Sequence, residues 1–138
     1  MSIIQNKLFV KIGVIMKSYY IHFICHGNID ETHKGKYIGT TNVPLSDKGK
    51  MELKKLDHNM KYPGATALFT SPLKRCKETC EILYPNMKPI VIDQLSECNF
   101  GEWEGKTADE LKDDELFKQW IGGSSEVKPP HGDSSADF

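Results

Sequence analysis

The sequence has little net charge, few cysteines and no apolar run long enough to cross a bilayer. Its 138 residues carry 18 Lys and Arg against 19 Asp and Glu, a formal net charge of −1. This balance excludes a strong attraction to nucleic acid or to an anionic membrane. Four cysteines in an ordinary globular composition are too few for a disulfide scaffold. We therefore expect one cytoplasmic domain whose partners are neither nucleic acids nor membranes.

The first fifteen residues form an apolar segment that lysines interrupt. Ser2–Ile15 is too short and too charged for a membrane span, and no small-residue cleavage site follows it. Met16 stands directly before the first convincing strand. We therefore predict that residues 1–15 are an extension outside the fold, that the natural start is Met16, and that residues 16–138 form the domain.

Beyond Met16 the sequence alternates predicted strands with predicted helices. Aromatic and β-branched runs predict strands at Tyr19–Ile24, Thr66–Thr70 and Pro89–Ile92. Capping residues predict helices that begin at Ser46, at Ser71 and at Thr107, the last of which runs to Ile121 and has Glu110 to complete a capping box. This order predicts an α/β fold in which helices cover a parallel sheet.

Three side chains suited to phosphoryl transfer follow the predicted strands. His26 comes directly after the first strand, Arg75 lies in the first turn of the helix after the second, and Glu97 follows the third. Because neighbouring parallel strands end at the same edge of a sheet, we expect these segments to face one pocket. A histidine nucleophile, an arginine that grips phosphate and a carboxylic proton donor form a coherent phosphoryl-transfer site.

Each of these residues also has an ordinary structural interpretation. A histidine after a strand is usually a surface or packing residue, and Arg75 lies in a run of charges that solvent could cover. Glu102 and Glu104 are interpreted as surface and packing residues rather than as part of the site. Cys76 and Cys80 are interpreted as reduced core thiols, because no cluster of further metal ligands accompanies them.

Several motifs in this order resemble the histidine phosphatase superfamily, whose members have the phosphoglycerate mutase-like fold. The motifs are Ile24–Gly27, Gly35–Gly39, Val43–Gly49, Thr70–Thr79, Glu97 with Phe100–Lys106, and Pro129–Ser134. The resemblance covers Tyr19–Phe138 and implies a three-layer αβα architecture with a mostly parallel sheet. Phe100–Gly105 resembles the phosphatase branch, including α-ribazole phosphatases, rather than the glycolytic mutases.

The resemblance also implies roles for individual residues. His26 matches the nucleophile that becomes a phosphohistidine, and Glu97 matches the proton donor. The positions that it places around the phosphate are Arg75, Cys25, Thr32 and Gly39. The implied reaction is the hydrolysis of a small phosphomonoester, in which water clears the phosphohistidine without a metal or other cofactor. A phosphoglycerate mutase is the less favoured enzyme.

The sequence departs from the family pattern at three points. Cys25 stands where the family has its first arginine, so one positive charge and one bidentate contact are missing. Ile29 and Thr32 replace a threonine and an asparagine, and the chain ends at Phe138, before the family's second histidine. We therefore keep a second hypothesis, a truncated and degenerate phosphatase that binds phosphorylated ligands or a partner without turnover. Such a fragment would expose a sheet edge and would be poorly soluble or oligomeric.

Overall fold

The chain begins with an antiparallel pair of strands. The computed structural model describes residues 3–12, 15–59, 62–134 and 136–137. Strand β1 is Ile3–Ile12 and strand β2 is Ile15–Ile24. Their register places Ile3 opposite Ile24 and Ile12 opposite Ile15. β2 therefore ends two residues before His26.

Helices and short strands alternate through the rest of the chain. They are α1 (Asp47–Asn59), β3 (Phe69–Thr70), α2 (Lys74–Leu83), β4 (Ile90–Val91), α3 (Ala108–Leu111) and α4 (Glu115–Ile121). Short 3-10 turns occupy Glu31–His33, Asp93–Leu95 and Gly101–Trp103. β3 and β4 pair in parallel across α2. This unit confirms the predicted α/β fold with a parallel sheet.

We expected β2 to lie beside other parallel strands, but its pairing is different. Within the described ranges, the only ladder of β2 is the antiparallel one with β1. β1 is close to β2 in sequence, so bringing the two strands together costs little chain entropy. Residues 1–15 were expected to lie outside the fold, yet most of them pair with β2. The domain boundary and the start at Met16 remain predictions, and Met1, Ser2, Gly13, Val14 and Phe138 lie outside the described residues.

Helix α2 begins at Lys74, two residues later than the first helical residue predicted after the Ser71 cap. Oγ of Ser71, the predicted cap, accepts the N–H of Leu73 at 3.3 Å in a turn that precedes the helix. The first helical N–H, that of Lys74, donates instead to Oδ1 of Asn42 at 2.7 Å. This cap comes from a loop distant in sequence, so no local pattern could indicate it.

The helix predicted from Thr107 to Ile121 is in fact two helices. Its capping box at Thr107 is confirmed. However, Oδ1 of Asp114 accepts two N–H groups in the first turn of α4, and Oδ2 of Asp114 accepts the indole N–H of Trp103 at 3.2 Å. This second cap starts a new helix against Trp103. The Ser46 cap of α1 is confirmed, because its Oγ accepts the N–H of Gly49 at 2.9 Å.

Among the described residues, two clusters of buried side chains form the core. The first contains Leu45, Leu53 and Leu83, and Ile24 at the end of β2 packs against it. The second contains Trp103, Leu111 and Phe117, and its partly buried neighbours are Tyr37, Phe100 and Trp120. In the ranges described above, no helix is long and apolar enough to cross a membrane.

Candidate active site

His26 follows β2 and is half-buried. Its Nδ1 lies 2.7 Å from the carbonyl oxygen of Gly27. A carbonyl oxygen can only accept a hydrogen bond, so Nδ1 carries the proton in this contact. The neutral ring therefore has its free lone pair on Nε2, which is the nitrogen available to attack an electrophile.

A short chain of hydrogen bonds joins the His26 segment to helix α2. The N–H of Gly27 donates to Oγ1 of Thr79 at 3.1 Å, and this hydroxyl donates to the carbonyl oxygen of Arg75 at 2.7 Å. Both contacts are buried, which makes them costly to break. Thr79 therefore ties the two segments together, a role that its place in the sequence did not indicate.

Arg75 is buried rather than one of several solvated charges. Only 2% of its surface is exposed. Nη1 donates to the carbonyl oxygen of Thr41 at 3.0 Å and Nη2 to that of Gly39 at 2.8 Å. Nε has no hydrogen-bond partner in the described part of the chain. The loop 39–41 thus holds the guanidinium group and leaves part of its donor capacity unused.

Gly39 lies where the chain passes close to the segment after Glu97. A Cβ atom at this position would sit 1.8 Å from the carbonyl oxygen of Cys98. No side chain can fit at such a distance, so the loop requires glycine here. Gly39 therefore contacts Arg75 through its carbonyl group and approaches the Glu97 segment through its Cα.

Glu104 is also part of this network, through contacts that the sequence did not reveal. Its carboxylate accepts the N–H groups of Gly39, Thr40 and Phe100 and the hydroxyl of Thr41, at distances between 2.5 and 3.2 Å. Burial alone would raise the pKa of Glu104, but these hydrogen bonds lower it below its usual value. Glu102, in contrast, is exposed and its Oε1 lies 3.6 Å from Nε2 of His131.

The remaining predicted site residues have no hydrogen bond to His26 or Arg75 within the described residues. Cys25 is an exposed free thiol. Thr32 is exposed, and its hydroxyl donates to Oδ1 of Asp30 at 2.6 Å. Glu97 is exposed, and its Oε1 accepts the N–H of Cys98 at 3.0 Å. No group of three or more His, Cys, Asp or Glu side chains in the described ranges is placed to hold a metal ion.

The family is established by comparison with known proteins. A model of the histidine phosphatase superfamily (branch 1) matches residues 21–138, so the chain belongs to this superfamily. The match begins within β2 and includes every residue discussed in this subsection. It supports an enzyme family of phosphatases and mutases, in agreement with the resemblance noted in the sequence.

Curated relatives of both kinds, and solved structures of phosphatases, resemble the chain. Phosphoserine phosphatase 1 of Hydrogenobacter thermophilus is 30% identical over 115 residues, which are 80% of this chain and 54% of that protein. A 2,3-bisphosphoglycerate-dependent phosphoglycerate mutase of Gloeobacter violaceus is 30% identical over 81% of this chain and 54% of its own length. The α-ribazole phosphatase of Shigella flexneri, at 22% identity and a TM-score of 0.71, shares the fold over 82% of this chain and 58% of that structure. The chain spans about a third to just over half of the curated relatives that it matches.

Proposed function

We propose that this chain carries the phosphoryl-accepting part of a phosphomonoester hydrolase. Nε2 of His26 attacks the phosphorus atom and forms the N–P bond of a phosphohistidine as the P–O ester bond breaks. The leaving oxygen takes a proton from Glu97, and water then attacks the phosphohistidine to release inorganic phosphate. The observation that carries the proposal is the contact between Nδ1 of His26 and the carbonyl oxygen of Gly27, because it leaves Nε2 free.

Arg75 is the proposed phosphate-binding group. It lies in the first turn of α2, where a helix favours an anion, and it is held by two carbonyl oxygens. Its Nε is buried and has no hydrogen-bond partner among the described residues, so a phosphate can reach it only if the chain around Arg75 moves. Gly39 supports this group, whereas Cys25 and Thr32 complete the proposed phosphate site only if their surroundings change when substrate binds.

The proposed substrate is a small phosphomonoester. Relatives named for phosphoserine and for phosphoglycerate support this substrate class, and both names fit a family that forms a phosphohistidine. We favour hydrolysis over the mutase reaction because Phe100–Gly105 resembles the phosphatase branch. We also infer a cytoplasmic location, to which four free thiols are suited.

Binding of phosphorylated ligands without turnover is the second candidate. Two observations favour it. Cys25 brings no positive charge beside His26, and Glu97 is exposed with one carboxylate oxygen engaged by the N–H of Cys98. In this case Arg75 still binds phosphate, but neither the transition-state charge nor the leaving group is stabilised enough for catalysis.

Hydrolysis of p-nitrophenyl phosphate distinguishes the two candidates. We would compare the natural chain with Cys25→Arg and His26→Asn. For a hydrolase we expect Cys25→Arg to raise the rate about a hundredfold by restoring the missing charge, and His26→Asn to abolish hydrolysis. Phosphate binding in all three proteins without hydrolysis in any of them would favour the second candidate. Hydrolysis that survives in His26→Asn would exclude the proposed reaction.

A further inference from the structure

The loop 39–41 lies between two opposite charges. Its carbonyl groups, from Gly39 and Thr41, accept hydrogen bonds from Arg75 at 2.8 and 3.0 Å. Its N–H groups, from Gly39 and Thr40, donate to the Glu104 carboxylate at 2.9 to 3.1 Å. The peptide dipoles of the loop thus point their positive ends at the carboxylate and their negative ends at the guanidinium group, which stabilises both charges.

The position of Glu104 is itself well determined by its surroundings. It follows the Gly101–Trp103 turn, whose Trp103 is only 1% exposed in the second core cluster. The N–H of Gly105 donates to the carbonyl oxygen of Tyr37 at 2.8 Å, just before the loop. The N–H of Phe100 donates to Oε1 of Glu104 at 3.2 Å. The carboxylate is therefore attached to the core on one side and to the loop 39–41 on the other.

We propose that Glu104 is a positioning residue for Arg75 and acts through the loop 39–41. The carboxylate holds the N–H groups of the loop, and this fixes the carbonyl oxygens that orient the guanidinium group. Without the charge of Glu104 the peptide planes can turn, and Arg75 loses the arrangement that prepares it for a phosphoryl group. The part of this proposal that concerns phosphate rests on the proposed function, but the orientation of Arg75 does not.

Glu102 provides a matched control. It lies two residues away, on the other side of the buried Trp103, and its carboxylate faces His131 instead of the loop. Glu102→Gln removes the same charge as Glu104→Gln without touching the loop 39–41. Thr41→Val gives an intermediate case, because it removes the hydroxyl that donates to Oε2 of Glu104 and keeps the carbonyl group that Arg75 uses.

Two measurements on the full chain test the proposal. The first records the side-chain guanidinium signals of Arg75 by ¹H–¹⁵N NMR without ligand, where a held group gives separate Nη signals. The second titrates inorganic phosphate. We expect Glu104→Gln to merge or broaden the Arg75 signals and to weaken phosphate binding about tenfold, which corresponds to the loss of about one hydrogen bond to a charged group. Thr41→Val should have a smaller effect of the same sign, and Glu102→Gln should have none.

The outcomes separate this proposal from the proposed function. If the natural chain binds no phosphate, or if Arg75→Met binds it equally well, the proposal that Arg75 binds phosphate is wrong. In that case the NMR signals alone decide whether Glu104 positions the guanidinium group. If Glu104→Gln leaves both the Arg75 signals and phosphate affinity as they are in Glu102→Gln, the positioning role is excluded. Should Glu104→Gln fail to fold, unchanged signals and unchanged affinity in Thr41→Val exclude it in the same way.

Discussion

The candidate site has two sides that differ in burial and in hydrogen bonding. One side is Arg75, and the other contains the histidine and the carboxylate. Arg75 is buried, and the loop 39–41 that holds it is itself held by Glu104. In contrast, Cys25 and Glu97 are exposed, and the carboxylate of Glu97 accepts a hydrogen bond only from the neighbouring Cys98 among the described residues. His26 lies between these extremes, since it is half-buried and linked to α2 through Gly27.

This difference implies that the proposed phosphate binding and the proposed phosphoryl transfer depend on different residues. An anion-binding group that is oriented before the ligand arrives loses little conformational freedom on binding. A proton donor on an exposed segment has no such preparation, and a cysteine next to the nucleophile contributes no charge. If the proposed function is correct, phosphate affinity should depend on these buried contacts, whereas turnover should depend on residues that the contacts do not hold.

Removing the guanidinium group should have the largest effect on stability. Arg75→Met leaves the buried carbonyl group of Gly39 and the partly buried one of Thr41 without their donors, so we expect the free energy of unfolding to fall by about 3 kcal/mol. Urea denaturation followed by tryptophan fluorescence would measure it. Lys74→Met is the control, because the Lys74 side chain is exposed, and it should stay within about 0.5 kcal/mol of the natural chain. Equal stabilities of the two variants would contradict the account of the buried arginine.

A methyl group added at Gly39 should have the next largest effect on the free energy of unfolding. Gly39→Ala places Cβ against the carbonyl oxygen of Cys98, so the backbone must move and we expect a loss of about 2 kcal/mol. Gly64 is a matched control, since a Cβ there meets nothing within 4 Å. Thermal unfolding of both alanine variants would test this. A Gly39→Ala protein as stable as Gly64→Ala would show that the loop is not packed as described.

Acid should reduce the contribution of Glu104 to the free energy of unfolding, and this effect should be smaller than the effects of the two substitutions above. Hydrogen bonds hold the pKa of Glu104 below its value in the unfolded chain, so its contribution to stability is present above pH 4.5 and is lost as the pH falls through the native pKa. The difference in unfolding free energy between the natural chain and Glu104→Gln should therefore shrink on acidification below that pH. Urea midpoints at several pH values would measure this. A difference that grows in acid would mean that the pKa of Glu104 is raised.

Neutralising the exposed carboxylate should have the smallest effect on stability. We expect Glu97→Gln to change the free energy of unfolding by less than about 0.5 kcal/mol. If Glu97 is the proton donor, the same change should lower hydrolysis of p-nitrophenyl phosphate about a hundredfold. Parallel urea and activity measurements would separate the two quantities. A large loss of stability would show that the exposed side of the site is held more firmly than its contacts indicate.

Much of the fold could be predicted from local patterns, but the site could be predicted only in part. The run around Ile21, the cap at Ser46 and the box at Thr107 are local signals, and the structure contains the elements that they predict. The cap of α2 by Asn42 and the contacts of Glu104 join residues far apart in sequence. Such contacts depend on how loops pack, and no spacing of residue types reveals them.

Intact-protein mass spectrometry would show whether His26 accepts a phosphoryl group, as proposed. The natural chain, Cys25→Arg and His26→Asn would each be incubated with p-nitrophenyl phosphate and quenched at alkaline pH, which preserves a phosphohistidine. We predict one acid-labile phosphoryl group per natural chain, a larger phosphorylated fraction in Cys25→Arg, and none in His26→Asn. A phosphoryl group that remains in His26→Asn, or its absence from both of the other proteins, would contradict the account.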